Sequence, residues 1–123
     1  MLNDAKVVAF VATADGARAR AFYESTLGLR VVADDDFAIA IDAGGTAIRV
    51  AKVGSVVAAP YTVLGFHVSD IAASVRALRD RGVTFERYPW FEQDDLGVWT
   101  APSGTRVAWF KDPDGNVLSL SCG

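Results

Sequence analysis

The stretch "WFKDPDGNVLSLSCG", residues 109–123, carries the strongest pattern in the chain. Two apolar-rich runs flank "DPDGN", a cluster of the residues that form tight turns between antiparallel strands. The pattern predicts a hairpin whose second strand runs from Val117 to Ser121. Ser119 lies in the middle of that strand, so its side chain faces either a working site or water.

Composition limits the classes of function. The chain has 123 residues, enough for one domain with a single core, and a net charge of −3 with a pI near 5.0. That charge argues against nucleic acid as a partner. The apolar stretches are strand-sized and "MLNDAK" is no signal peptide, so we expect no membrane contact. Cys122 is the one cysteine, which excludes an intrachain disulfide and favours a cytoplasmic location.

The chain contains an internal repeat, about 5–53 and 61–122, joined by a linker at 54–60. In the first copy an apolar run leads to Asp15, a candidate helix N-cap, and the helical spacing stops at Gly28. The second copy has Asp70 and Gly82 in the same roles. The two copies are therefore offset by 55 residues at the caps and by 54 at the stops.

Strand patterns follow each helix, so that each repeat is predicted to be a βαβββ module. The predicted fold is α+β, with two such modules forming a curved mixed sheet around a shared cavity. The predicted strands after the helices are 30–33, 37–41 and 47–53 in the first copy, and 84–88, 97–101, 106–110 and 117–121 in the second.

Two stretches make the chain resemble the vicinal oxygen chelate superfamily, which includes glyoxalases, extradiol dioxygenases and bleomycin-resistance proteins. "DGARARAFYESTLGLRVV", residues 15–32, is similar to the family's first helix, and "FKDPDGNVLSL", residues 110–120, to its final hairpin. The resemblance covers nearly the whole chain. It implies the fold described above, a small-molecule ligand and a homodimer.

The resemblance also implies a divalent metal held at four strand positions, usually by His, Glu or Gln. Counting from the caps and the final turn places these positions at Val8, Arg49, Val63 and Ser119. Valine has no donor atom, Arg49 carries a permanent positive charge, and a serine hydroxyl is a weak neutral ligand. We therefore expect no metal and no other cofactor.

Strand alternation and the resemblance together predict the cavity lining: Phe10, Arg49, His67, Val107, Trp109 and Ser119, with the face of Trp99 left open. Such a cavity, apolar with a few polar groups, suits a small organic molecule. Arg49 favours an anionic oxygen, and the aromatic rings favour a flat apolar body. The alternative role of Arg49 is structural, as the partner of an aspartate of the acidic run 34–36 in an ion pair. Without such a pair, we interpret this run as a solvated loop.

The predicted function is bleomycin-resistance-like binding of an organic ligand, anionic or aromatic, without a metal. The alternative is a glyoxalase-type or dioxygenase-type enzyme, a lyase, isomerase or hydrolase with His67 as general base and Arg49 stabilising an oxyanion. An atypical metal site of His67 with Glu92 or Asp94 is a further alternative. A scaffold domain whose cavity is filled by Phe10 and Trp109 is the last.

Overall fold

The computed structural model describes every residue from Met1 to Gly123, and the chain divides into two compact units, Met1–Val57 and Ala58–Gly123. Each unit contains a four-stranded mixed sheet and one helical region. The predicted α+β class with two modules is therefore confirmed. No helix has the length and apolar character needed to cross a bilayer.

The first unit has the sheet order β1-β4-β3-β2. Strand β1 pairs in parallel with β4, while β4, β3 and β2 are antiparallel neighbours. One face of this sheet carries the buried core, because Ile39, Ile41, Ile48 and Val50 are almost fully inaccessible. The elements are β1 Val8–Thr13, α1 Gly16–Arg20 with a π-helical continuation Ala21–Thr26, β2 Arg30–Asp34, β3 Ala38–Ala43 and β4 Thr46–Lys52.

The second unit repeats this topology with the sheet order β5-β8-β7-β6. Helix α2 packs against β7 and β8 and buries Ile71 and Val75 completely. The strand residues that face it, including Phe110 and Leu118, are also fully buried, and each contributes roughly 1.5–3 kcal/mol to folding. The elements are β5 Thr62–His67, α2 Ile71–Asp80, β6 Trp99–Thr100, β7 Arg106–Lys111 and β8 Val117–Cys122.

The two helical regions begin and end alike but differ by one residue in length. Asp15 and Asp70 cap them by accepting the backbone N–H of the residue three positions on, and each ends near a glycine with positive φ, Gly28 at 71° and Gly82 at 91°. The closing bond from Leu29 N–H to the Tyr23 carbonyl spans six residues, whereas that from Val83 to Leu78 spans five. The π-helical turn, which holds an extra residue, accounts for the drift from 55 to 54.

The prediction of a strand at 84–88 is wrong, and the strand predicted at 97–101 is reduced to Trp99–Thr100. Only an isolated bridge joins Phe85 to Phe110. The Gln93 side chain takes the place of a neighbouring strand: it accepts the N–H of Tyr88 at 2.8 Å and donates to the carbonyls of Glu86 at 3.0 Å and Gly97 at 2.8 Å. The amide thereby satisfies backbone groups that a sheet ladder would otherwise pair.

The acidic run 34–36 is not simply solvated, because its first residue closes an ion-pair cluster. The Asp34 carboxylate lies 2.6 Å from Lys52 Nζ and 3.1 Å from Arg20 Nη1. The hydrogen bond from Lys52, followed by that from Arg20, lowers the pKa of Asp34, against the opposing effect of burial. These contacts tie the end of β2 to β4 and to the end of α1.

Candidate functional site

The turn of the final hairpin is held by a buried aspartate. The Asp112 carboxylate accepts the backbone N–H of Asp114 at 2.9 Å and of Asn116 at 3.0 Å, and also the Asn116 side-chain amide at 2.8 Å. These bonds fix the reversal between β7 and β8. The register that follows sets Trp109 opposite Ser119 and Phe110 opposite Leu118.

The central row of the open face in the second unit runs across three strands. Gly65 on β5 pairs with Ser119 on β8, which pairs with Trp109 on β7. A methyl group on Gly65 would lie 2.9 Å from Ser119 Oγ, closer than real contacts allow. Ser119 is itself buried, so the β5 and β8 positions of this row are closely packed, whereas the β7 position carries the large Trp109 ring. We call the closely packed pair of Gly65 and Ser119 the tight floor.

The next row of the same face contains the histidine. His67 pairs with Ser121, Ser121 with Val107, and Val107 with Trp99, which places Trp99 on the open face as well. His67 is exposed, and its Nδ1 lies 3.4 Å from Ser121 Oγ, a long contact for a hydrogen bond.

Five aromatic rings form a continuous cluster on this face: Tyr88, Trp90, Phe91, Trp99 and Trp109. Phe91 is stacked on Trp109 with ring centroids 5.0 Å apart and planes 3° apart, and its centroid lies 4.4 Å from that of Trp99. Tyr88 meets the edge of Trp109 at 5.5 Å and is stacked on Trp90 at 5.1 Å. Such pairs are worth about 0.5–1.5 kcal/mol each beyond their buried area.

A cavity of about 230 Å³ lies against this cluster, lined by Pro60, Tyr61, Thr62, Tyr88, Trp90, Phe91, Trp109 and Val117. Trp90 is 71% exposed, so a large aromatic surface is open to a ligand. Few polar groups reach the cavity. Thr62 Oγ1 accepts the Trp109 indole N–H at 3.1 Å. Burial, with a contribution from Glu86, raises the pKa of Tyr88, so its phenol is neutral at physiological pH.

The open face of the first unit has a different lining. Arg49 on β4 lies between Phe10 on β1 and Ala40 on β3. Phe10 is 62% exposed, whereas Arg49 is half-buried and takes part in none of the five ion pairs of the molecule. Asp35 is not paired with it: the backbone N–H groups of Phe37 and Ala38 are the main cause of the lowered pKa of Asp35, and Arg49 adds a smaller attraction.

The residues at the four expected metal positions do not fit a divalent cation. Val8 and Val63 have no donor, Arg49 is a cation, and Ser119 is a neutral hydroxyl. The count at Val63 needs a correction, because a bulge between Thr62 and Leu64 leaves it without a register partner and sets Thr62 opposite Val117. No group of three or more His, Cys, Asp and Glu side chains is arranged to hold a metal. The alternative of His67 with Glu92 or Asp94 is a pair of groups and stays a hypothesis.

Sequence reasoning missed part of the aromatic site. The predicted cavity lining includes Trp109 and leaves the face of Trp99 open, but it does not include Tyr88, Trp90 or Phe91. The signal was present in "YPWF", residues 88–91, where three of four residues are aromatic. Thr62 was missed because the bulge on β5 changes the alternation.

Comparison with known proteins identifies the family. The profile of the Glyoxalase/Bleomycin resistance protein/Dioxygenase superfamily matches residues 6–120. The chain therefore belongs to that superfamily, as the two sequence motifs indicated. No curated protein matches the chain in sequence.

Solved structures of similar fold cover the whole chain. A member of the same superfamily from Sphaerobacter thermophilus is 25% identical, with a TM-score of 0.78 and full coverage of both chains. Lactoylglutathione lyase from Agrobacterium tumefaciens has a TM-score of 0.76 at 17% identity, covering 100% of this chain and 96% of that one. A glyoxalase family protein from Enterococcus faecalis has a TM-score of 0.71 at 20% identity, covering 98% and 99%. At 17% and 20% identity these two likenesses show the fold alone.

Proposed function

We propose that the chain is a cytoplasmic protein that binds a small organic molecule with a flat apolar body, without a divalent metal, against the aromatic cavity of its second unit. The observation that carries this proposal is the five-ring cluster beside an open cavity of about 230 Å³. A ligand ring placed there gains contact with rings already held in position by their neighbours.

The tryptophans supply a direct test. All three tryptophans of the chain, Trp90, Trp99 and Trp109, belong to the cluster, so intrinsic fluorescence reports on this site alone. Titration with bicyclic aromatic compounds is expected to change the tryptophan emission saturably and to raise the unfolding temperature. Saturated analogues of the same size should do neither.

The matched variants are Trp109→Ala, Trp109→Phe and Phe37→Ala. Loss of the Trp109 ring should weaken binding at least tenfold, by about 1.5 kcal/mol, because it removes the partner of Phe91. Phenylalanine should restore most of the affinity. Phe37→Ala removes an exposed ring of the first unit that lies outside its central open-face row, and it is the control. Equal affinity of Trp109→Ala and the parent protein would overturn the proposal.

Arg49 is a separate part of the proposal, as the group that prefers an anionic ligand. It is a half-buried guanidinium without an ion-pair partner on the open face of the first sheet, and it suits a carboxylate or phosphonate oxygen. An aromatic acid should therefore stabilise the protein more than its neutral amide. Arg49→Ala should lose that difference, and retention of the difference would remove Arg49 from the proposal.

Catalysis is the second candidate function, favoured by the exposed His67 on the open face with Ser121 Oγ at 3.4 Å. An imidazole in this position has access to a substrate proton. Liquid chromatography coupled to mass spectrometry of compounds that bind would detect conversion, including isomerisation, which leaves the mass unchanged. Conversion by the parent protein that His67→Ala abolishes at unchanged affinity indicates an enzyme, whereas unchanged compounds in both indicate a binding protein.

Homodimer formation also belongs to the proposal. It is supported by the exposed apolar side chains Val32 and Phe37 of the first unit, the latter 78% accessible. Light scattering after size-exclusion chromatography should give twice the mass of one chain. A mass of 13.1 kDa at micromolar concentration would contradict it.

A further inference from the structure

A second cavity in the Ala58–Gly123 unit is lined by two arginines and only one aromatic ring. Its volume is about 380 Å³, and its lining is Arg79, Gly82, Val83, Thr84, Phe85, Arg87, Asp95, Leu96 and Gly97. None of these residues lines the aromatic cavity. The proposed function therefore does not use this cavity.

The two arginines are differently held. Arg87 donates through one terminal nitrogen to the carbonyls of Asp94 at 2.8 Å and Asp95 at 3.0 Å, which fixes its guanidinium at the cavity and leaves its other N–H groups free. Arg79 lies in the last turn of α2 and forms no ion pair. Neither guanidinium has a carboxylate within 4.0 Å, although the Asp95 side chain borders the same cavity.

We propose that this cavity binds the carboxylate of a small organic acid between Arg79 and Arg87. The two cations and the single carboxylate of Asp95 leave one net positive charge in the lining, which balances a monoanion. Thr84 adds a hydroxyl donor, and Phe85 and Leu96 give the ligand an apolar wall. A phosphate ion shares the oxyanion chemistry but has no apolar body to contact Phe85 and Leu96.

The test uses the whole chain and an NMR titration with benzoate, inorganic phosphate and neutral benzamide. The reporters are the backbone amides of Gly82, Thr84 and Gly97, which lie in the lining. Benzoate should shift these three signals saturably at millimolar concentration, phosphate less tightly, and benzamide not at all.

Variants decide whether the arginines are responsible. Arg79→Gln is expected to weaken benzoate binding about fivefold, the effect of one exposed charge-assisted contact. Arg76→Gln removes the same charge from the same helix outside the lining and should leave affinity unchanged. Asp95→Asn should strengthen binding and bring phosphate closer to benzoate.

Arg87→Lys is the second variant for the fixed arginine, because it keeps the charge but loses the two bonds to the carbonyls of Asp94 and Asp95. Weaker benzoate binding there supports the proposal. The proposal is overturned if benzoate leaves the Gly82, Thr84 and Gly97 signals in place. It is also overturned if Arg79→Gln binds as the Arg76→Gln control does, or if phosphate binds more tightly than benzoate.

Discussion

The open faces of the two sheets have the same register but opposite distributions of bulk. In the first unit the central row is Phe10, Arg49 and Ala40, with the large side chains on the parallel pair of strands. In the second unit the corresponding row is Gly65, Ser119 and Trp109, with the bulk on the antiparallel neighbour. The same strand arrangement thus carries a cationic surface in the first unit and an aromatic cavity beside the tight floor in the second unit.

The difference is extended by segments outside the strands. In the second unit the stretch between α2 and β6 is held by Gln93 and supplies Tyr88, Trp90 and Phe91. In the first unit the short connection from the helix leads directly into β2. The face that gains a long, irregular connection is the face with the aromatic cavity.

The largest expected effect comes from removing the Gln93 side chain, whose role is confined to the second unit. Gln93→Ala deletes three hydrogen bonds and leaves the backbone groups of Glu86, Tyr88 and Gly97 without their partner. We expect the free energy of unfolding to fall by about 2–3 kcal/mol. Urea denaturation measures the loss, and near-ultraviolet circular dichroism should show weaker aromatic signals.

A second variant is Gln93→Glu, which keeps the shape and the acceptor for Tyr88 N–H but places a carboxylate oxygen against the carbonyl oxygens of Glu86 and Gly97. It should lose at least as much stability as Gln93→Ala. An unchanged denaturation midpoint in Gln93→Ala would mean that the segment is held by its rings alone.

The next largest effect tests the tight floor. Gly65→Ala places a methyl group 2.9 Å from Ser119 Oγ and should lower stability by about 1–2 kcal/mol. In a Ser119→Ala background the clashing oxygen is gone, so the same change should cost much less. A double-mutant cycle from thermal unfolding measures the coupling. Additive effects of the two substitutions would show that the floor tolerates a larger group.

Arg49, on the open face of the first sheet, should contribute little to folding. Arg49 has no ion-pair partner, so Arg49→Leu should change the free energy of unfolding by less than about 0.5 kcal/mol or raise it slightly. Denaturant titration at neutral pH is the measurement. A loss above about 1 kcal/mol would show that Arg49 stabilises the first sheet itself.

The smallest effect is expected at low pH. The pKa of Asp34 is lowered in the folded chain, chiefly by its hydrogen bond from Lys52, so its contribution to stability is present above the unfolded pKa and is lost as pH falls through the folded pKa. Asp34→Asn should flatten the acid side of the stability profile slightly. Asp36→Asn, in the same run but outside the ion pairs, is the control, and equal profiles for both would contradict the assignment.

The sequence predicted the parts of the fold that depend on local signals. The caps Asp15 and Asp70, the glycine stops and the final turn each have a local chemical cause, and the α+β class follows from them. The strand at 84–88 failed because its apolar pattern meets a side-chain amide from Gln93 and not a neighbouring strand. Alternation failed at Val63 because a bulge interrupts the register, which periodicity does not reveal.

The π-helical turn at Ala21–Thr26 shows how a helix can accommodate an additional residue. The helical region keeps a capped start at Asp15 and a glycine stop at Gly28, as its counterpart does at Asp70 and Gly82, while containing one residue more. A wider turn absorbs that residue without lengthening a loop or shifting a strand register. The π-helical turn thus accommodates a difference of one residue in chain length. Deleting one exposed residue of this turn, such as Ser25, should leave an ordinary α-helix between the same two ends.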